Sequence, residues 1–147
     1  MGKVMIQGYT LTTDQGKMDF NVIHAFISQS YWAKDIPVPT LQKAMANSLC
    51  FAALLDSGEQ VGFARVISDY ATFAYLADVF VLEAHRGKGI SKRLMQFIVD
   101  HPDLQGLRRT VLATADAHGL YSQYGFTALA KPENFMESWH PNIYQRT

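Results

Sequence analysis

An α/β fold, built on a mixed and mostly antiparallel sheet that contains one parallel strand pair, follows from three observations. Apolar, β-favouring runs follow one another at residues 49–55, 60–67 and 72–82, separated by Asp56-Ser57-Gly58-Glu59 and Ser68-Asp69. That is the pattern of an antiparallel meander. The third run opens into Arg86-Gly87-Lys88-Gly89 and then an amphipathic stretch, so the order there is strand, glycine loop, helix. A further β-like run over 109–114 completes a strand, helix, strand crossover, whose two strands are parallel.

Each element has its own local reason. Met5 to Leu11 mixes apolar and β-favouring residues and predicts a first strand. Thr12-Thr13-Asp14-Gln15-Gly16 carries helix-capping chemistry, and Phe20, Ile23, Ala25, Phe26 and Ile27 have helical spacing, which predicts a helix over 18–28. From Ser28 to Pro39 two prolines and a polar cluster break regular structure, leaving a loop that carries Tyr31 and Trp32. Thr40 is the expected N-cap of a short helix through Leu41, Ala44 and Met45 that stops near Asn47. The run 60–67 is apolar except for Arg65, which it places on the sheet, where two roles are open: orienting an anionic acceptor or pairing with Asp69. In the helix after the glycine loop, Ile90, Leu94, Phe97 and Ile98 share one face, and His101-Pro102 ends it. Ala115 to Tyr124 is helix-prone, Gly125-Phe126 stops it, and a last β-like piece is expected at 127–130. The tail from Pro132 to Thr147 holds Phe135, Met136, Trp139 and Tyr144 and is expected to pack on the domain.

Composition narrows the class of molecule. At 147 residues, with no repeat or low-complexity tract, residues 1–147 read as one domain. Thirteen basic residues balance thirteen acidic ones, so no global field recruits nucleic acid or an anionic membrane. One cysteine, Cys50, in an apolar run reads as a buried inert thiol, excludes an internal disulfide framework and suits the cytoplasm. No apolar run is long enough to span a bilayer, and Met1-Gly2-Lys3-Val4-Met5-Ile6 lacks a signal peptide's apolar core. His24, His85, His101, His118 and His140 show no ligand spacing, so no metal site is expected.

The glycine loop suits an anion. Glycines allow a tight turn and a close ligand approach, the first N–H groups of the following helix lack partners, and Arg86, Lys88, Lys92 and Arg93 add positive charge. A P-loop is excluded, because Gly89 is followed by Ile90 and Ser91 rather than Lys and Ser/Thr, and the dinucleotide fingerprint fails at Lys92. What fits is Arg86-x-x-Gly89-x-Ser91, together with Leu120-Tyr121-x-x-x-Gly125-Phe126. With these residues the chain resembles the GNAT superfamily of acetyl-CoA-dependent N-acetyltransferases from about Gln60 to Phe126. Two positions depart from that pattern. Ser91 replaces a glycine or alanine, and Thr114 stands where an asparagine is common.

The resemblance implies a GNAT-like sheet with helices on both faces, whose parallel strands splay so that the amide-rich pantetheine arm of acetyl-CoA enters the gap. It implies that the backbone of Val79, Phe80 and Val81 holds that arm and that Arg86, Gly87, Lys88, Gly89, Ile90 and Ser91 hold the diphosphate. It implies Tyr121 as the acid for the departing thiolate. Asp78 is the first candidate for the base, with water as the alternative and pairing with Arg65 as the structural role. Tyr31, Trp32, Arg65 and His118 are candidates for the acceptor pocket. The implied reaction moves acetyl to the amine of a small-molecule acceptor by direct attack in a ternary complex. A non-catalytic acyl-CoA sensor is the alternative, and monomer and homodimer both stay open.

Overall fold

The computed structural model describes residues 8–145. The chain folds as β1 (Tyr9–Thr12), α1 (Phe20–Ile27), α2 (Val38–Ala46), β2 (Leu49–Leu55), β3 (Gln60–Ser68), β4 (Phe73–Val81), α3 (Ile90–Val99), β5 (Arg109–Leu112) and α4 (His118–Ser122), with short 3₁₀ turns between. The five strands lie in sequence order in one sheet. The first four are antiparallel, and β4 pairs with β5 in parallel, from Phe73 with Arg109 to Leu76 with Leu112. No helix among the described residues is long and apolar enough to cross a membrane.

Helices cover both faces of the sheet because each has one apolar stripe. Ile90, Leu94, Met95 and Ile98 of α3 pack on Phe51, Ala53, Val66 and Leu76. On the other face Ile23 and Ile27 of α1 and Leu41 and Met45 of α2 pack on Cys50, Phe63 and Phe80, with the rings of Phe26 and Phe80 stacked at 4.1 Å. Helix α1 begins where the Asp19 carboxylate accepts from the N–H groups of Asn21 and Val22.

Several boundaries differ from the sequence expectation, each for a local reason. Helix α2 starts after Pro37 rather than Thr40. Pro39 falls in its first turn, where a missing N–H has no intrahelical partner to lose. The first strand is seen as Tyr9–Thr12, and the expected positions 5–7 lie outside the described residues. Strand β5 stops at Leu112, and α4 is shorter than 115–124. Residues 127–130 form no strand. The tail packs only in part: Met136, Trp139 and Ile143 are exposed. Phe135 lies under the Arg109 guanidinium at 5.0 Å, and Tyr144 reaches the α1/α2 side of the core.

Strand β4 carries a bulge that sets the geometry of everything beyond it. Phe63 opposes Phe80 while Arg65 opposes Ala77, so β4 has one residue more than β3 between the two pairs. Asp78, in that interval, has φ of 55°, a left-handed conformation that Asp tolerates better than most residues. The extra residue flips the strand. Leu76 faces α3, whereas Phe80, four residues on, faces α1 and α2. Arg65 does not pair with Asp69, whose carboxylate instead accepts from the Thr72 hydroxyl and the N–H groups of Ala71, Thr72 and Phe73. Those bonds, the Thr72 hydroxyl first, hold the Asp69 carboxyl well below the usual carboxylate range. Arg65 donates from Nε to Asp78 Oδ2 at 2.7 Å and from Nη1 to Ser48 Oγ at 3.2 Å. Trp32 Nε1 donates to the other oxygen, Asp78 Oδ1, at 2.7 Å.

Asp78 is 7 % exposed, so removing its cation leaves a buried carboxylate short of a partner. Arg65→Met, which keeps the apolar stem, is expected to lower unfolding free energy by about 3 kcal/mol in urea titrations followed by tryptophan fluorescence. A loss under about 1 kcal/mol would mean that the pair does not hold the bulge.

Candidate active site

Beyond Leu76 and Leu112 the two parallel strands part: the pairing ends there, but β4 runs on to Val81. The gap is a cleft of about 680 Å³. Residues 75–81 of β4 form one wall, 112–117 the other, and the glycine loop one end. Leu82 N–H bonds to Val61 C=O at 2.8 Å, so the next pair inward, Val81 with Gly62, is of the type that exchanges no hydrogen bonds. The N–H and C=O of Val81 therefore point away from β3, toward the cleft. Its C=O accepts from Arg86 Nε at 2.9 Å. By the same alternation Phe80 directs its backbone groups at β3.

At the loop end Gly87 and Gly89 have φ of 79° and 81°, conformations that a side chain would strain. Gly89 is the N-cap of α3 and brings no side chain to its first N–H groups, which stay open to an anion. Arg86, Gly87, Gly89, Ile90 and Ser91 line the cleft, while Lys88 is exposed and outside it. On the opposite wall Thr114 Oγ1 accepts from Ala117 N–H at 3.0 Å and so caps the turn into α4.

Tyr121, on α4, is 8 % exposed and lines the cleft. Its hydroxyl makes no hydrogen bond among the described residues, and no side-chain oxygen there is both buried and unpartnered, so the hydroxyl faces the open cleft. Burial, then Tyr31 and the Asp116 carboxylate, raise its pKa above the ordinary tyrosine value. Tyr124, three residues on, donates to Lys92 C=O at 2.9 Å and ties α4 to α3 instead.

Of the acceptor-pocket candidates, Tyr31 and Trp32 come to the cleft and two others do not. Tyr31 spans its mouth, with its hydroxyl oxygen accepting from Ala115 N–H at 3.2 Å, and its ring meets that of Trp32 edge to face at 5.1 Å. Arg65 sits behind Asp78, and His118 is exposed at the start of α4, outside the cleft. Asp78 lines the cleft with each oxygen already accepting a hydrogen bond. Sequence reasoning missed Asp116, Phe26 and Tyr75, which also line it. An unclaimed carboxylate five residues before Tyr121, in the turn after a parallel strand, was the available signal for Asp116.

Comparison with known proteins agrees with this architecture. The Acetyltransferase (GNAT) family matches residues 20–126. An acetyltransferase candidate of Gibberella zeae, FG08082, is 31% identical over 137 residues, spanning 78% of this chain and 76% of that protein. The crystal structure of a GNAT-family acetyltransferase candidate from Xanthomonas campestris, xcc2953, superposes with a TM-score of 0.93 at 54% identity, covering 97% of this chain and all of that one. Rv2747 from Mycobacterium tuberculosis, solved in complex with CoA, shares the fold at a TM-score of 0.64 and 21% identity, over 82% of this chain and 72% of its own. The chain belongs to the GNAT acetyltransferase family.

Proposed function

We propose that this protein is an N-acetyltransferase that moves the acetyl group of acetyl-CoA to an amine of a small-molecule acceptor by direct attack in a ternary complex. The observation that carries the reading is the cleft edge of β4, which has no strand partner beyond Leu76, running into an uncapped helix N-terminus. An amide-bearing arm attached to a diphosphate complements both parts at once. That Rv2747, with the same fold, binds CoA supports the choice of donor.

Acetyl-CoA supplies an acetyl group activated as a thioester. Val79 and Val81 take its arm on their backbone, with Phe80 packing behind, and Arg86 with the open N–H groups at Gly87 to Ser91 holds the diphosphate. One backbone N–H near Val81 stabilises the negative charge that grows on the acyl oxygen as the amine adds. An amine with a lysine-like pKa of about 10.4 must lose a proton first. With both Asp78 oxygens engaged, solvent is the proton acceptor, and Asp78 positions the strand. The nitrogen lone pair forms the C–N bond, the C–S bond breaks, and the sulfur takes the electron pair and then a proton.

Tyr121 is the donor to that sulfur. Its raised pKa makes full transfer to a thiolate, whose own pKa is about 8.5, unfavourable at the outset. It acts by hydrogen-bonding the sulfur as charge develops. Cys50, whose thiol is pushed up to about 12 chiefly by burial, takes no part as a covalent carrier.

An acetyl-CoA consumption screen over an amine library is expected to find a substrate, and Tyr121→Phe is expected to lower kcat on it about 100-fold without weakening coenzyme A binding. Unchanged kcat would remove Tyr121 from the mechanism, and absence of any turnover would overturn the reading. Because a raised pKa keeps the hydroxyl protonated past its ordinary range, kcat should not fall between about pH 7 and 9.5; a fall with a midpoint below about 9 would contradict the assignment. Cys50 should resist a disulfide-exchange reagent in the folded protein at about pH 8 and react once urea unfolds it. Fast labelling of the folded protein would reopen the covalent route.

A further inference from the structure

Resting on the acetyltransferase reading, we propose that the acceptor is a primary amine on an aromatic or apolar body that carries no carboxylate or phosphate of its own. Phe26, Tyr31 and Trp32 belong both to the coenzyme cleft and to an adjoining groove of about 640 Å³. Val22, Ala25 and Leu82 extend that groove, and no charged side chain lines it. An aromatic wall thus runs from the surface to Asp78.

Charge is divided along the cleft. Among the described residues the basic side chains that line it are His85 and Arg86, both at the glycine-loop end. His85 is bonded to Tyr9. Arg65, behind the aromatic wall, is bound to Asp78. The carboxylates that line the cleft are Asp78 and Asp116.

An acceptor with an anionic group meets no cationic side chain among those that line the groove. An ammonium meets the opposite surroundings: the Asp116 carboxylate and the negative faces of aromatic rings. Trp32 is held in place by its own bond to Asp78, so its face is already oriented when the acceptor arrives. Tyr31 is 71% exposed and serves no core, which leaves its ring free for this contact.

The test measures thiol release from acetyl-CoA with 2-phenylethylamine, with phenylalanine, which differs from it only by a carboxylate, and with glucosamine 6-phosphate. Coenzyme A binding is followed by calorimetry alongside. The expected result is a kcat/KM for 2-phenylethylamine at least about 100-fold above that for either anionic amine. Tyr31→Ala should raise KM for 2-phenylethylamine about tenfold, and by more than it raises KM for acetyl-CoA. Faster turnover of phenylalanine or glucosamine 6-phosphate, or coenzyme A binding with no turnover of any of the three, overturns the acceptor assignment and leaves the coenzyme site standing. Failure to bind coenzyme A overturns both.

Discussion

The contact between Arg65 and Asp78 is the constraint from which the functional geometry follows. A residue with a β-carbon held at φ of 55° in the middle of a strand carries backbone strain of order 1 kcal/mol, and it persists only where its surroundings fix it. Here they do so twice, through the guanidinium of the neighbouring strand and the indole of the loop after α1. The bulge they fix turns Phe80 toward α1 and bends β4 away from β5. A straight β4 would have continued its ladder with β5 and closed the cleft.

The same two donors connect parts of the chain that sequence keeps far apart. Trp32 joins the α1–α2 loop to the bulge, and Tyr31, beside it, joins that loop to the turn before α4. One dipeptide therefore touches both walls of the cleft. With zero net charge overall, what matters is where charge sits: cations and open N–H groups at the α3 end, the Asp116 carboxylate, the Arg65–Asp78 pair and aromatic rings elsewhere along the cleft. That polarity suits a reaction between an anionic donor and a cationic acceptor without a global field.

Much of the fold is legible in the sequence because its signals are local. The apolar runs of β2, β3 and β4, the Asp-Ser-Gly turn and the stripe of α3 each fit within one window of periodicity. Strand β5 and the parallel pairing follow from the crossover rule. Other features depend on distant partners. Pro39 reads as a breaker until its place in a first helical turn is known. The bulge adds a single residue and leaves no mark on composition. Asp78 reads as a base or as a partner of Arg65, 13 residues away, whereas its second partner, Trp32, lies 46 residues away and leaves no such signal. Residues 127–130 have β propensity without a strand partner. His118 and Tyr121 are one helical turn apart, but α4 has only five residues and turns one of them to solvent.

Backbone amide hydrogen exchange, followed residue by residue with and without coenzyme A, tests the central claim most directly, because the claim concerns main-chain groups that no side-chain substitution removes. The account predicts new protection at Val79 and Val81 and across Gly87 to Ser91, with little change in β1, β2 or α2. Coenzyme A that binds and leaves those amides exchanging as before would contradict it.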